Sequence, residues 1–351
     1  MSYEVTIEPT GDVVEVEDGQ TLLDACLRQG VWLPFACGHG TCGTCKVQVL
    51  EGDVNHGEAS SFALMDMERD EGKTLACCCL PESDLVIEAD IDVDPDFLGY
   101  PVLDFRAIVR DIVNLTPTIR GVTLELDGEM EFQPGQYINL HIPGVQGARA
   151  FSIANTPDAK STVELHIRHV PGGAATTWVH ESMSVGDELT LSGPYGQFFV
   201  RTSAPEDLIF IGGGSGLSSP QSMVLDLLAK GDTRNMTLLQ GARNLAELYN
   251  RELFEKLAEE YDNFTYVPAL DKPDEGWDGF VGFVHEAAID HFGGSFAGHK
   301  AYLCGPPPMI DASITALMQG RLFERDIYME RFLTSADGAD GGTRSALFRK
   351  I

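Results

Sequence analysis

Three cysteines fall within nine residues, C-G-H-G-T-C-G-T-C (Cys37 to Cys45), at the spacing C-x4-C-x2-C. A loop this short can bring three thiolates onto one inorganic centre only if its backbone turns tightly. Gly38, Gly40 and Gly43 supply that freedom, because they reach positive φ without a Cβ penalty. The loop N–H groups are then free to donate to the sulfur atoms of the centre. The spacing is one that holds a 2Fe–2S cluster, whereas zinc is usually held by paired C-x2-C units. A fourth thiolate has to come from the run T-L-A-C-C-C-L-P, which offers Cys77, Cys78 and Cys79. His39 is read as a loop residue, since four thiolates suffice. Seven of the eight cysteines precede residue 80, a clustering that speaks for metal rather than disulfides in a cytoplasmic chain. Cys26 falls inside a helical pattern on an apolar face and reads as core.

A second motif, F-I-G-G-G-S-G-L-S-S-P (Phe210 to Pro220), follows an apolar strand and precedes a helix. Glycines at Gly213, Gly214 and Gly216, with Ser215 between them, allow a tight turn and close approach of a pyrophosphate. Farther on, three prolines in Y-L-C-G-P-P-P-M (Tyr302 to Met309) fix φ at a helix start and make a rigid wall.

The elements that must position these residues divide the chain in three. Residues 3–9 and 12–17 read as a hairpin, 21–29 as a helix capped by Thr21, 47–50 as a strand, 61–70 as a second helix and 85–89 as a closing strand. That makes a small α+β domain over 1–93. The segment 94–101, with two prolines at 95 and 101 and little periodicity, reads as a linker. Short β runs at 107–113, 121–126, 137–142, 163–168 and 188–191 predict an antiparallel barrel over 102–203. From 204 to 335 strands (208–211, 236–239, 264–268, 301–304, 327–329) alternate with helices (218–229, 246–260, 283–292, 307–319), the pattern of a parallel α/β sheet. Residues 336–351 are left as a C-terminal tail.

On these motifs the first 90 residues resemble a plant-type ferredoxin of the β-grasp fold, and the remainder is similar to the ferredoxin–NADP reductase superfamily. The resemblance implies a multidomain chain with a flavin-binding β-barrel followed by a nucleotide-binding α/β domain. It also implies roles residue by residue. Pro81, Ser83 and Asp84 place the fourth cluster ligand at Cys77, completing the set Cys37, Cys42, Cys45 and Cys77. R-A-F-S (Arg149 to Ser152) matches the family's flavin element: Arg149 for the flavin phosphate, Phe151 for the ring, Ser152 for the flavin N5, with Ile153 next in line. H-I-R-H-V-P-G-G-A-A-T (His166 to Thr176) is similar to the family's pyrophosphate loop, so Gly173, Ala174, Ala175 and Thr176 are expected there. Cys304, Gly305 and Pro306 match the element beside the nicotinamide. M-E-R-F (Met329 to Phe332) is similar to the family's terminal segment, with Glu330 by the flavin and Phe332 over its ring. Ser152, Cys304 and Glu330 are thus the expected catalytic residues.

The order of the three domains is that of reductase components of bacterial multicomponent monooxygenases, nearest to those of the phenol hydroxylase type. Reductases of ring-hydroxylating dioxygenases or other hydroxylases, and deoxysugar reductases, share it. The resemblance implies FAD, a 2Fe–2S cluster and NADH. NADH delivers two electrons as hydride, a 2Fe–2S cluster takes one at a time, and a flavin between them takes two and releases them singly. NADH is favoured over NADPH because Glu247, near Arg243, would repel a 2′-phosphate.

Charge restricts the partners. Lys and Arg total 24 against 54 Asp and Glu, a net −30. Residues 1–93 hold 19 acids against four bases, half of that charge. Such a surface repels phosphate backbones, so nucleic acid is not expected. It would attract a basic docking face on an oxygenase or hydroxylase component. No apolar run approaches the roughly 20 residues of a membrane span, and the start carries no signal-peptide pattern. A cytoplasmic, monomeric protein is expected.

Overall fold

A computed structural model describes residues 1–91 and 94–332, and the chain packs as two units that divide after Leu103. The expected tail lies outside the described residues. No helix among them is long and apolar enough to cross a membrane.

The N-terminal unit is a β-grasp. Strands β1 (Ser2–Glu8) and β2 (Asp12–Glu17) form the hairpin, and α1 (Leu22–Arg28) follows. Next come β3 (Lys46–Glu51), the short β4 (Val54–Asn55), α2 (Asp66–Asp70), β5 (Lys73–Leu75), β6 (Leu80–Pro81) and β7 (Leu85–Glu88). The sheet runs β2-β1-β7-β3-β5, with β1 and β7 parallel, and β4 pairs with β6 apart from it. Alternation sends Val5, Ile7, Val14 and Val16 inward, where they meet Leu22, Ala25 and Cys26 of α1. The Thr21 hydroxyl accepts from the Asp24 N–H, an N-cap worth about 1 kcal/mol.

The helix expected over 61–70 is only its last turn, Asp66–Asp70. Ala63 and Leu64 are drawn into the core, the Ser60 carbonyl accepts both their N–H groups in a tight turn, and Met65 is extended. Burial of two small apolar side chains outweighs the helical spacing. The segment 94–101 packs on the N-terminal unit: Phe97 meets Trp32 edge-on at 6.0 Å, and the Val102 N–H bonds the Leu27 carbonyl.

The second unit opens with an antiparallel barrel: β8 (Leu103–Asn114), β9 (Ile119–Leu126), β10 (Tyr137–His141), β11 (Arg149–Ser152), β12 (Thr162–Arg168), α3 (Ala174–Glu181) and β13 (Glu188–Tyr195). Its order is β11-β10-β13-β8-β9-β12, and a bridge from Ile153 to Leu165 brings the two ends together. Then β14 (Asp207–Gly213), α4 (Ser218–Ala229), β15 (Met236–Ala242), α5 (Arg251–Glu260), β16 (Phe264–Leu270) and β17 (Phe280–Val281) lead to α6 (Val284–His291), β18 (His299–Gly305), α7 (Pro307–Gln319) and β19 (Ile327–Arg331). This sheet is parallel, in the order β17-β16-β15-β14-β18-β19. The central β14 is apolar on both faces, as helices on both sides require. Pro268 is tolerated in β16 because β17 pairs only with Ala269 and Leu270. The helix expected from 246 begins at Arg251, because the Asn244 side chain caps a separate short turn at Leu245–Glu247 and Asn250 takes positive φ.

Candidate functional site

Four thiols of the N-terminal unit gather in two pairs. The Cys45 and Cys77 sulfurs lie 3.2 Å apart, and the Cys42 thiol hydrogen-bonds Cys37. Burial raises the Cys37 thiol, but the His39 and Thr41 N–H groups and Cys42 outweigh it and lower it to about 6. The hydrogen bond with Cys77 draws Cys45 down to about 7, and Cys77 is itself pushed up by Cys45. Two pairs of thiols suit a cluster of two irons, each iron taking two. The loop fits such a group: Gly38, Gly40 and Gly43 all have positive φ, and the Gly40 N–H donates to Cys77 Sγ at 3.2 Å. A Cβ on Gly40 would strike Cys78 Sγ at 2.6 Å and one on Gly43 would press on the Ala63 carbonyl at 3.3 Å. Cys26 and Cys79 are fully buried in the core, and burial raises both thiols to about 12. Cys78 lies 3.8 Å from Cys77 and is half-exposed, off the two pairs.

In the second unit the three residues expected to act on hydride meet, although they lie far apart in sequence. Ser152, at the end of β11, donates its hydroxyl to Glu330 Oε2 at 3.0 Å. Cys304 pairs with Glu330 across β18 and β19, and its sulfur lies 3.8 Å from the same oxygen and 3.8 Å from the Ser219 hydroxyl. Burial raises Glu330 to about 7 against these hydrogen bonds. Burial and then the Glu330 charge push the Cys304 thiol far up, so it stays protonated. Tyr137 stands opposite Ser152 in the β10–β11 register and stacks on Tyr195 with ring centres 5.6 Å apart. Phe151 is half-buried on the barrel core, Ile153 is wholly buried, and Phe332 bonds the Gly305 carbonyl through its N–H. Arg149 is exposed and donates to the carbonyls of Gln146, Gly147 and Ala148.

The glycine loop abuts this group. A Cβ on Gly216 would lie 2.5 Å from the Cys304 carbonyl oxygen, and one on Gly213 would meet Met309 Sδ at 2.4 Å with Pro306 beyond. Ser215 is buried at the turn. Gly173 precedes α3, whose first residues Ala174, Ala175 and Thr176 have no acceptor within the helix for their N–H groups. The Thr176 hydroxyl closes the turn by bonding the Val170 backbone.

Sequence reading missed Ser219, Tyr137 and Tyr195. Ser219 was in plain view within G-S-G-L-S-S-P, but only the crossing of α4 and β18 puts it beside Cys304. Glu247, the residue expected to repel a 2′-phosphate, accepts from the Thr116 and Thr118 hydroxyls of the barrel, at 3.2 and 2.7 Å.

Comparison with known proteins finds the same three parts in the same order. Residues 5–82 match the 2Fe-2S iron-sulfur cluster binding domain, 106–200 the oxidoreductase FAD-binding domain and 210–314 the oxidoreductase NAD-binding domain. The chain is 69% identical, over the full length of both, to the phenol 2-monooxygenase reductase component DmpP of Pseudomonas sp. strain CF600. It is 66% identical, again over both full lengths, to the phenol hydroxylase P5 protein of Acinetobacter pittii. The crystal structure of the Amycolatopsis cytochrome P450 reductase GcoB superimposes with a TM-score of 0.83 at 36% identity, covering 94% of this chain and 98% of that one. With a cluster domain, a FAD domain and an NAD domain in one chain, this protein belongs to the iron–sulfur flavoprotein reductase family of the phenol hydroxylase reductase components.

Proposed function

We propose that the chain takes hydride from NADH and delivers single electrons to the oxygenase component of a phenol-type aromatic monooxygenase. The observation that carries this is the full-length 69% identity to a phenol 2-monooxygenase reductase component. When bound, FAD accepts two electrons together and the 2Fe–2S cluster passes them on one at a time. The chain's own residues do the rest. Cys37, Cys42, Cys45 and Cys77 would hold the cluster through their thiolates, and the N–H groups of the glycine-rich loop would donate to its sulfur atoms. Gly173, Ala174, Ala175 and Thr176 bind the flavin pyrophosphate, with Arg149 on its phosphate, and Phe151 and Phe332 pack on the ring.

Gly213, Gly214, Ser215 and Gly216 cradle the pyrophosphate of NADH, while Cys304, Gly305 and Pro306 wall the nicotinamide. Ser152 orients the reacting edge of the ring, and Glu330 Oε2 holds or releases a proton there. Buried Cys304 stays a neutral thiol, so it adds bulk and a weak donor but no charge. The flavin domain is assigned to residues 102–203 and the nucleotide domain to 204–335. NADH rather than NADPH, a cytoplasmic monomer and no nucleic-acid or membrane partner complete the reading.

The test is reconstitution. Purified holoprotein, NADH, phenol and the oxygenase component of a phenol hydroxylase should give hydroxylated product, and omission of this chain should abolish it. If electrons reach ferricyanide but never that oxygenase, the phenol assignment is wrong.

A further inference from the structure

A buried hydrogen-bonded chain runs from the barrel to the glycine loop. Glu164 and His166 lie on one face of β12, two residues apart, while Val163, Leu165 and Ile167 fill the barrel on the other. His166 Nε2 is 3.0 Å from Glu164 Oε1, and Nδ1 is 3.1 Å from the Tyr249 hydroxyl. That hydroxyl donates to the Gly214 carbonyl at 3.2 Å. His166 and Tyr249 are both buried, their rings packed edge to face at 5.2 Å. The backbone of Tyr249 is fixed in turn, since Gln240 Nε2 donates to its carbonyl and the Tyr266 hydroxyl donates to Gln240.

We propose that Tyr249, backed by His166 and Glu164, is a positioning residue for nucleotide binding, holding the peptide between Gly214 and Ser215 in one orientation. This rests on the glycine loop being the site of the NADH pyrophosphate. Gly214 has φ +57°, and as a glycine it opposes rotation of this peptide only weakly. In a planar trans peptide the Ser215 N–H points opposite to the Gly214 C=O. Anchoring that carbonyl on Tyr249 therefore aims the Ser215 N–H away from the barrel strand and fixes one donor of the loop.

The proton inventory sharpens the argument. The hydrogen bond from His166 holds the Glu164 carboxyl below the ordinary carboxylate range, so Glu164 accepts and Nε2 carries a proton. Tyr249 has a single O–H. When Nδ1 also carries a proton, it donates to the phenol oxygen and the O–H serves Gly214. When Nδ1 is bare, it competes for that same O–H and the loop carbonyl loses its donor. The groups around His166 are Glu164 and Arg168 on its own strand face, and Tyr249. Gly121 opposite it on β9 has no side chain, and His180 of α3 is bonded to the Ile167 carbonyl.

The experiment is a titration of the flavin- and cluster-loaded full chain with ADP-ribose, which carries the pyrophosphate but cannot be reduced, followed by the flavin absorbance change or by calorimetry. Tyr249→Phe keeps the ring and removes the donor. Its dissociation constant should rise about two- to tenfold, the range for one lost hydrogen bond, with flavin content and both absorbance spectra unchanged. With NADH as the ligand, ferricyanide reduction should show the same loss in KM and little change in kcat, the split expected of a group that acts on pyrophosphate binding alone. Equal affinities for the two proteins, or a loss that falls on kcat instead of KM, would overturn the proposal. If Tyr249→Phe does not retain flavin, His166→Gln, which removes the ring that backs the phenol, decides by the same two readouts. Failure of the unaltered protein to bind ADP-ribose at any pH would instead remove the NADH reading.

Discussion

The thiol loop and the Ser152–Glu330–Cys304 group are built in opposite ways. Three of the four paired thiols come from nine consecutive residues, so the loop's own glycines set its shape. The other group takes one residue from the end of β11, one from α4, one from β18 and one from β19, and no local segment holds any two of them. A local site fails through its ligands or its backbone. An assembled site fails through any contact that fixes the crossing of its strands. Substitutions should follow that division.

The largest effect belongs to the local site. Cys37→Ser, Cys42→Ser, Cys45→Ser or Cys77→Ser should each abolish or badly damage the cluster, measured as iron content and the EPR signal of the reduced protein. Electron delivery to an oxygenase should fall with it, while NADH-to-ferricyanide activity stays, because that site is assembled from other residues. Cys78→Ser should keep the cluster, since its sulfur stands outside both pairs. A Cys78→Ser protein without iron beside a Cys77→Ser protein with it would reverse the assignment of the fourth ligand.

Next is a backbone contact in the assembled site. Gly216→Ala would put a methyl group 2.5 Å from the Cys304 carbonyl oxygen, a backbone atom that cannot swing aside. The glycine loop must then part from β18. A shift of about 1 Å can cost on the order of 100-fold in rate, so NADH-driven ferricyanide reduction should fall by about that much with iron content unchanged. Retained activity would mean that loop and strand adapt independently, and the contrast between the two sites would weaken.

A smaller effect comes from single hydrogen bonds. Ser152→Ala removes a donor to a carboxyl, and bonds to charged groups are worth about 1.5–3 kcal/mol, or roughly 10- to 100-fold in rate. Glu330→Gln adds a pH signature. Burial raises the Glu330 carboxyl to about 7, so the folded protein binds its proton more tightly than the unfolded chain does. The stabilising contribution is therefore full below about pH 4.5, where both states are protonated, and is lost as pH rises to about 7. The unaltered protein should lose melting temperature relative to Glu330→Gln between about pH 4.5 and pH 7, and the two should run parallel above that. Melting curves parallel over the lower range as well would show that Glu330 ionises freely.

The same division explains what could be read from the sequence. The helices 218–229 and 307–319 matched their expected bounds, the second because prolines set its first turn and Gly320 follows its last. The cysteine loop was legible because its chemistry is contiguous. Ser152, Cys304 and Glu330 were legible only through their resemblance to family motifs, since nothing in their spacing says that they touch. Ser219, the threonine partners of Glu247 and the His166–Tyr249 contact left no such trace. Each pair is separated by 83 to 131 positions, and only the packing of α4 on β18, for Ser219, or of barrel against sheet, for the others, brings it together.

The smallest effect concerns the acidic surface of the N-terminal unit, and here the structure sorts the residues. Asp66 and Asp70 of α2 are exposed, whereas Glu68 between them bonds Lys46 and caps the Met65 N–H. The hydrogen bond from Lys46 holds the Glu68 carboxyl below its ordinary range, so reversing its charge would disturb the fold as well as the field. Docking is therefore tested with Asp66→Lys and Asp70→Lys and not with Glu68. A field of one sign acts mainly on the association rate and is screened by salt. The Debye length falls from about 10 Å at 0.1 M to about 3 Å at 1 M. Electron delivery to the oxygenase should fall across that range, and the double charge reversal at 0.1 M should reproduce a several-fold part of the loss. NADH-to-ferricyanide activity should change little in either case, because it needs no protein partner. An oxygenase reaction indifferent to both salt and charge reversal would leave these acids with no part in docking, and the cluster loop would then have to be recognised by shape alone.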